Sequence, residues 1–81
     1  MVKMGALSEL IVRVPEVQGG EPTIRGTRIP VELLLRKLAE GAMIEDLVDA
    51  HPRLVADDIR AALEYAADTI AHESVLALTS S

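Results

Sequence analysis

Residues 19–31, GGEPTIRGTRIPV, hold three of the five glycines of an 81-residue chain, together with two prolines and two arginines. A glycine at the first central position of a two-residue turn accepts the positive φ that a type II′ hairpin requires. We therefore predict a hairpin with Gly26 and Thr27 at its tip. In this register Ile24 faces Ile29 across the pair of strands.

The same register places Arg25 opposite Arg28, so that two like charges project together near the turn. Opposed like charges repel each other and lower the stability of the hairpin. One interpretation is that an anionic partner compensates for the repulsion. The other is that Glu16 or Glu21 neutralises it, and the sequence leaves both open.

Upstream of the hairpin, residues 9–14, ELIVRV, alternate between two faces, which is typical of a strand with one buried side. The inward residues are Leu10, Val12 and Val14, and the solvent-facing residues are Glu9, Ile11 and Arg13. An exposed isoleucine on an edge strand is a natural pairing surface. Together with the small aliphatic core, it predicts a homodimer through residues 9–14 or through the C-terminal helix.

Downstream of the hairpin, the apolar residues have helical spacing. Pro30 suits the first turn of a helix, where its missing N–H does no harm. An apolar stripe follows at positions i, i+3, i+4, i+7 and i+8, namely Val31, Leu34, Leu35, Leu38 and Ala39. Gly41 is then expected to end this helix as the glycine at C′.

Two more helices are predicted after the first. A short second helix includes Ile44 and stops at Pro52. A third and longest helix begins near Ala56, and its apolar stripe consists of Ile59, Ala62, Leu63, Ala66 and Ile70. Beyond Ala71 the pattern weakens, so residues 72–81 are predicted to form a C-terminal tail, in which residues 75–78 either extend the helix or dock on a partner.

The predicted fold is therefore mainly α, a three-helix bundle of the helix-turn-helix type preceded by a short β-strand and a β-hairpin. One domain covers residues 9–71, with the β arm at residues 9–30 and a flexible segment at residues 1–8. The second helix would brace the third, which would be the candidate recognition helix.

The net charge of −5 hides an asymmetry along the chain. Residues 1–39 carry six bases and four acids, whereas residues 40–81 carry two bases and nine acids. The asymmetry is either ordinary solvated surface or a pair of faces for one anionic and one basic partner.

Several classes of protein are disfavoured by the composition. The chain has no cysteine, which suits the cytosol, so we expect a cytoplasmic protein. No apolar run approaches the ~20 residues of a membrane span, and no membrane partner is expected. His51 and His72 lack the spacing of a zinc protease and have no cysteine companion. We therefore expect no enzymatic activity, no metal site and no cofactor.

Three segments, GGEPTIRGTRIPVELLLRKLAEG, EDLVDAHPRL and DIRAALEYAA, resemble the small bacterial family DUF433. The resemblance covers about residues 10–67. Its Gly-Thr-Arg-Ile-Pro-Val core is fairly specific, because it joins a turn to a helix start in fixed register. The residues with a structural role in turns are Gly19, Gly20, Gly26, Thr27, Pro30 and Gly41.

Members of this family resemble the antitoxins of type II toxin–antitoxin pairs, whose partner toxins are usually small PIN-like ribonucleases. The resemblance implies a homeodomain-like helix-turn-helix bundle, beside which the glycine-rich arm holds Arg25 and Arg28. The implied function is an antitoxin that binds its toxin and, as a homodimer, its operator DNA. The alternative is a protein-interaction module of the same fold that does not bind DNA.

This sequence departs from the family pattern where the second and third helices begin. Met43 and Val55 stand where the family often has Ser or Thr, and each loss of an N-cap oxygen costs roughly 1 kcal/mol. Asp46 and Asp58 remain without their capping-box partners. His51 replaces a common Tyr. We expect a looser bundle that depends on a partner.

The exposed side of the third helix offers one base against four acids, which disfavours insertion into the major groove. The candidate DNA contacts are instead Arg13, Arg25, Arg28, Arg36 and Lys37. The candidate toxin contacts are Asp57, Asp58, Glu64 and Asp68, with Val75, Leu76 and Leu78 of the tail as an apolar anchor. Tyr65, the single aromatic residue, is expected to pack in the core or a dimer interface rather than to stack on bases.

Overall fold

The computed structural model describes residues 7–13, 15 and 18–80, and for residues 18 and 74–80 it describes the backbone alone. Two strands, β1 (Ile11–Arg13) and β2 (Pro22–Ile24), are each preceded by a short 3₁₀ turn, Ser8–Leu10 and Gln18–Gly20. Three helices follow, α1 (Val31–Ala39), α2 (Ile44–Ala50) and α3 (Ala56–Ser80). The predicted fold class is confirmed at this level, as three helices after a short two-stranded antiparallel sheet.

The turn after β2 differs from the prediction. The amide of Thr27 donates to the carbonyl of Ile24 at 3.0 Å, so Arg25 and Gly26 are the two central residues. Gly26 has φ of +79°, which is the value that the third position of a type II turn requires. Ile24 still pairs with Ile29, because its amide donates to the Ile29 carbonyl at 3.0 Å.

The predicted register is confirmed by the hydrogen bond between Ile24 and Ile29 and by the bridge between Thr23 and Pro30. The predicted turn is wrong, however, and the side chains of Arg25 and Arg28 have different surroundings. The physical reason is the hydroxyl of Thr27, which donates to the Ile24 carbonyl at 2.7 Å and accepts from the Ile29 amide at 3.0 Å. These two hydrogen bonds draw Thr27 back toward the strand end and shift the turn by one residue. Arg25 lies inside the turn, whereas Arg28 lies after it.

The predicted solvent exposure of Ile11 is also wrong. β1 pairs antiparallel with β2, and Ile11 is the direct partner of the fully buried Ile24. Ile11 is partly buried and packs against the core. The strand was predicted to begin at Glu9, but Leu10 still belongs to the preceding 3₁₀ turn. The predicted assignment of side chains to the two faces was therefore shifted by one residue. Val14 and Glu16 lie outside the described residues, as do residues 1–6 of the segment that was predicted to be flexible.

One hydrophobic core joins β2 to the three helices and to the connection between α2 and α3. Its buried residues are Ile24, Val31, Leu34, Leu47, Leu54, Ile59 and Ala62. The stripe predicted for α1 is confirmed at Val31 and Leu34, and Leu35 and Leu38 pack partly buried beside them. Ala39 is exposed, contrary to the prediction, because it lies in the last turn of α1 beyond the packed face.

The ends of α1 follow the sequence closely. Pro30 is the N-cap, one position earlier than predicted, and Val31 is the first helical residue. Gly41 has φ of +108° and its amide donates to the Leu38 carbonyl at 3.0 Å. The Ala42 amide donates to the Lys37 carbonyl at the same distance. These are the two hydrogen bonds of a Schellman motif, with the glycine at C′ as expected.

α2 and α3 begin without a hydroxyl at the N-cap, yet each keeps half of a capping box. Asp46 accepts a hydrogen bond from the Met43 amide at 2.8 Å. Asp58 accepts one from the Val55 amide at 2.9 Å. The carboxylate three residues into each helix thus satisfies the N-cap amide.

α3 has 25 residues, which gives it a length of about 37 Å. Its first half packs against α1, α2, β1 and the first 3₁₀ turn. The predicted burial of Leu63 and Ile70 is wrong, because they are 43% and 61% exposed. Every residue from Ala67 to Glu73 is exposed, since the helix is longer than the body that it packs against. The helix also continues past Ala71, where the tail was predicted.

Candidate nucleic-acid and protein interfaces

A groove of about 500 Å³ lies where the hairpin turn meets the connection between α2 and α3. We call it the arginine groove, and it is lined by Gly26, Thr27, Arg28, Ile29 and Arg53. The Nη1 atom of Arg53 donates to the Gly26 carbonyl at 2.9 Å, which links two turns that are 27 residues apart in sequence. The sequence-based prediction missed Arg53, since no local pattern places it beside the hairpin.

Arg25 does not line the arginine groove. Its Nε atom donates to the Glu9 carbonyl at 2.9 Å, which orients the side chain toward the 3₁₀ turn before β1. A backbone hydrogen bond joins the same two segments, because the Arg25 amide donates to the Leu10 carbonyl at 2.7 Å. Of the two arginines that flank Gly26 and Thr27, one therefore belongs to the arginine groove and the other to the β1 side.

Arg13 lies in a different electrostatic environment from the one predicted. It shares a groove of about 260 Å³ with Glu64, Tyr65 and Asp68 of α3, which we call the mixed-charge groove. A basic side chain in the company of two carboxylates is a poor phosphate contact, because the acids repel the phosphate. At this groove a basic residue of the N-terminal half and acids of the C-terminal half share one surface, which does not fit the interpretation of two separate charged faces.

Arg36 and Lys37 lie on the exposed side of α1. Arg36 forms an ion pair with Glu32 at 2.7 Å, and both side chains are mostly exposed. Exposed ion pairs of this kind contribute about 0–1 kcal/mol to stability. Breaking the pair so that Arg36 can bind another anion therefore costs little free energy. Neither residue lines the arginine groove.

The acids predicted to contact a toxin separate into three environments. Asp57 is exposed and accepts a hydrogen bond from Arg60 at 2.9 Å. Asp58 is 7% exposed and was wrongly assigned to the exposed side, because its carboxylate turns back to cap Val55. Glu64 and Asp68 line the mixed-charge groove. The side chains of Val75, Leu76 and Leu78 lie outside the described residues.

An apolar groove of about 340 Å³ runs between β2, α1 and α3. The apolar part of its lining comes from Pro22, Val31, Leu35, Tyr65, Ala66 and Ile70, and Glu21 and Glu32 stand at its rim. Tyr65 also packs against the core and reaches the mixed-charge groove on its other side. This position agrees with the prediction that Tyr65 packs against apolar residues.

Two further grooves lie on the described surface. One lies between α2 and α3 and includes Glu45, Asp49 and Arg60. The other adjoins the arginine groove through Ile29 and Arg53 and adds His51 and Pro52. Within the residues that the structure describes, no group of three or more His, Cys, Asp or Glu side chains is placed to hold a metal ion. No helix in that part of the chain combines the length and apolarity needed to cross a membrane.

Comparison with known proteins gives consistent matches to one family. The sequence model described as "Protein of unknown function (DUF433)" matches residues 11–66. The chain is 38% identical over 63 residues to the uncharacterized protein y4eO of Sinorhizobium fredii, a match that covers 78% of this chain and 28% of that protein's length. A crystal structure of a DUF433 member protein from Anabaena variabilis is similar with a TM-score of 0.73 and 35% identity, covering 85% of this chain and 68% of that chain.

Proposed function

This chain belongs to the DUF433 family, and on that premise we propose that it is the antitoxin of a type II toxin–antitoxin pair. In this proposal the protein is cytoplasmic, has no catalytic activity of its own and neutralises a PIN-like ribonuclease by binding it directly. As a dimer it also binds its operator DNA and represses its own expression.

The observation that carries the proposal is the exposed half of α3. On the outer side of α3, Asp57, Asp68 and Glu73 are exposed and Glu64 is half-buried, against the one arginine, Arg60. Leu63 and Ile70 are large apolar side chains exposed among them. A ribonuclease that binds anionic RNA must present a basic surface near its active centre. An acidic helix with apolar side chains can compete for that surface and exclude RNA from it.

The apolar groove gives such a partner a place to anchor. It adjoins the exposed half of α3 through Ile70, and its rim carries Glu21 and Glu32. A partner segment with an apolar side chain flanked by basic residues is complementary to this arrangement. Burial of the apolar anchor sets the lifetime of the complex, and the surrounding charges set its rate of formation.

The finer description of the fold belongs to the same proposal. We regard α2, the connecting residues 51–55 and α3 as a homeodomain-like helix-turn-helix unit. Because the exposed side of α3 is acidic, the DNA contacts come from the arginines near the turns and not from the usual recognition helix. The alternative function, a protein-interaction module that does not bind DNA, is favoured by the same acidic helix.

The decisive experiment first establishes whether the adjacent reading frame encodes a PIN-like ribonuclease, as the proposal requires. It then measures binding to that ribonuclease over a series of salt concentrations. The variant Glu64→Lys with Asp68→Lys is compared with Glu45→Lys with Asp49→Lys, which changes the net charge equally in the groove between α2 and α3. We expect the α3 variant to associate at least tenfold more slowly at low salt, because electrostatic attraction controls the association rate.

The control variant is expected to associate at nearly the parent rate. Equal effects of the two variants would show that only net charge matters, and the α3 interface would be rejected. Absence of binding between the parent chain and the neighbouring ribonuclease would reject the antitoxin function itself.

A further inference from the structure

We infer, resting on the DNA-binding part of the proposed function, that the arginine groove binds a phosphate of duplex DNA through Arg53 together with Arg28. Arg53 lies in the connection before α3, and Arg28 lies in the segment before α1. The two side chains line one groove only because the hairpin turn packs against that connection.

The hydrogen bond that Arg53 makes within the protein preorganises its guanidinium for binding an anion. A guanidinium has five N–H donors in a planar fork, and the hydrogen bond from Nη1 to the Gly26 carbonyl uses one of them. That bond orients the fork at the groove, so less side-chain entropy is lost when a phosphate is bound. Arginine donors on phosphate oxygens form charge-assisted hydrogen bonds, which are among the strongest in proteins.

Carboxylates distinguish the arginine groove from most of the surface. Each of three other grooves is lined by two acids, which are Glu21 and Glu32, Glu64 and Asp68, and Glu45 and Asp49. Among the residues that the structure describes, neither the arginine groove nor the adjoining groove at His51 has a carboxylate in its lining. Asp57, four residues after Arg53, is already paired with Arg60. An anion is therefore attracted to this end of an otherwise acidic protein.

The surroundings favour a duplex over other anionic partners. Single-stranded nucleic acid is usually held by aromatic side chains that stack on bases, and Tyr65, the single aromatic residue, lines other grooves. An acidic protein would require a large apolar anchor, and among the described residues of this lining Ile29 is the one large aliphatic side chain. Duplex DNA presents one phosphate charge per ~1.7 Å and needs only positioned donors.

The test is a binding titration of the full chain with the duplex from upstream of its own reading frame, over several salt concentrations. Arg53→Ala is compared with Arg60→Ala, which removes the same charge from an exposed arginine that also has one short polar contact. For Arg53→Ala we expect roughly tenfold weaker binding and a salt slope lower by about 0.9. For Arg60→Ala both values should stay close to those of the parent.

Two additional variants distinguish the loss of a DNA contact from the loss of the fold. Arg28→Ala leaves the link from Arg53 to Gly26 intact and should weaken DNA binding in the same way as Arg53→Ala. Arg53→Lys should keep the parent salt slope while losing part of the affinity, because lysine retains the charge but not the planar fork. Circular dichroism melting identifies any variant that loses its fold.

The outcomes separate this inference from the function on which it rests. If the parent binds the duplex while the Arg28 and Arg53 variants match the Arg60 variant, the groove is rejected and DNA binding stands. If the parent binds no duplex at low salt, the inference and the DNA-binding function fail together. If the arginine variants weaken only the binding of the neighbouring ribonuclease, the groove is a protein contact and the inference is wrong.

Discussion

Asp58 combines a charged side chain with a nearly buried position, 7% exposed, at the start of α3. Its carboxylate accepts the Val55 amide at 2.9 Å, and its own amide donates to the Val55 carbonyl at the same distance. Asp57, its neighbour in the same helical turn, is exposed and paired with Arg60. Two adjacent aspartates thus have separate roles, one inside the fold and one on its surface.

We predict that Asp58→Ala lowers the free energy of unfolding by about 1–2 kcal/mol, because the Val55 amide loses its partner near the core. Asp57→Ala also removes an acid from the first turn and serves as the matched control, with an expected loss below about 0.5 kcal/mol. Urea denaturation monitored by circular dichroism measures both. Equal losses would mean that the helix dipole, and not the hydrogen bond, is what Asp58 contributes.

At the scale of the element, α3 has two parts with different environments. Residues up to Ala66 contact the remainder of the molecule, while the side chains from Ala67 to Glu73 are exposed. A helix segment without tertiary contacts contributes little to stability, because isolated helical turns are marginal in water. The exposed residues 67–73 are therefore available for binding.

We predict that truncation after Ala71 changes the urea midpoint very little, since every core residue in the described part of the chain precedes it. The same truncation removes Val75, Leu76 and Leu78 and should speed dissociation from the ribonuclease with little change in the association rate. Ile59→Ala, which creates a cavity in the core, is the contrasting control and should cost about 2–5 kcal/mol. A large loss of stability on truncation would show that the distal half of α3 packs on the domain.

At the scale of the whole molecule, the surface carries charge of both signs on neighbouring grooves. The arginine groove lies at the hairpin turn, and the acids of the mixed-charge groove lie along α3. Ile11 packs inward and no longer provides the edge-strand surface on which a homodimer was expected. Leu63 and Ile70 remain as the large apolar side chains that α3 exposes in the described part of the chain.

We predict that the chain, in the absence of the ribonuclease, forms a homodimer at micromolar concentration through the exposed face of α3, because pairing buries these apolar side chains. Ile70→Ser should shift the species toward monomer. Val55→Ser is the matched control, because Val55 is 58% exposed against 61% for Ile70 but lies before α3. Sedimentation velocity measures the distribution, and a parent chain that sediments only as a monomer would refute the prediction.

The sequence by itself determined the features that act over a few residues. Positive φ at Gly26 and Gly41, the start of α1 after Pro30 and the buried pair Val31 and Leu34 were all predictable. The reason is that backbone sterics and helical periodicity depend on neighbours within about one helical turn. The family resemblance was predictable as well, since its motif lies in the same local segment.

Only the tertiary structure decided which of these residues share a surface. Ile11 faces inward because β2 is its partner, and Leu63 and Ile70 are exposed because α3 exceeds the body that it packs against. Arg53 joins Arg28 because two turns distant in sequence meet through a single hydrogen bond to the Gly26 carbonyl. Contacts of this kind depend on how whole elements pack, which residue spacing along the chain does not encode.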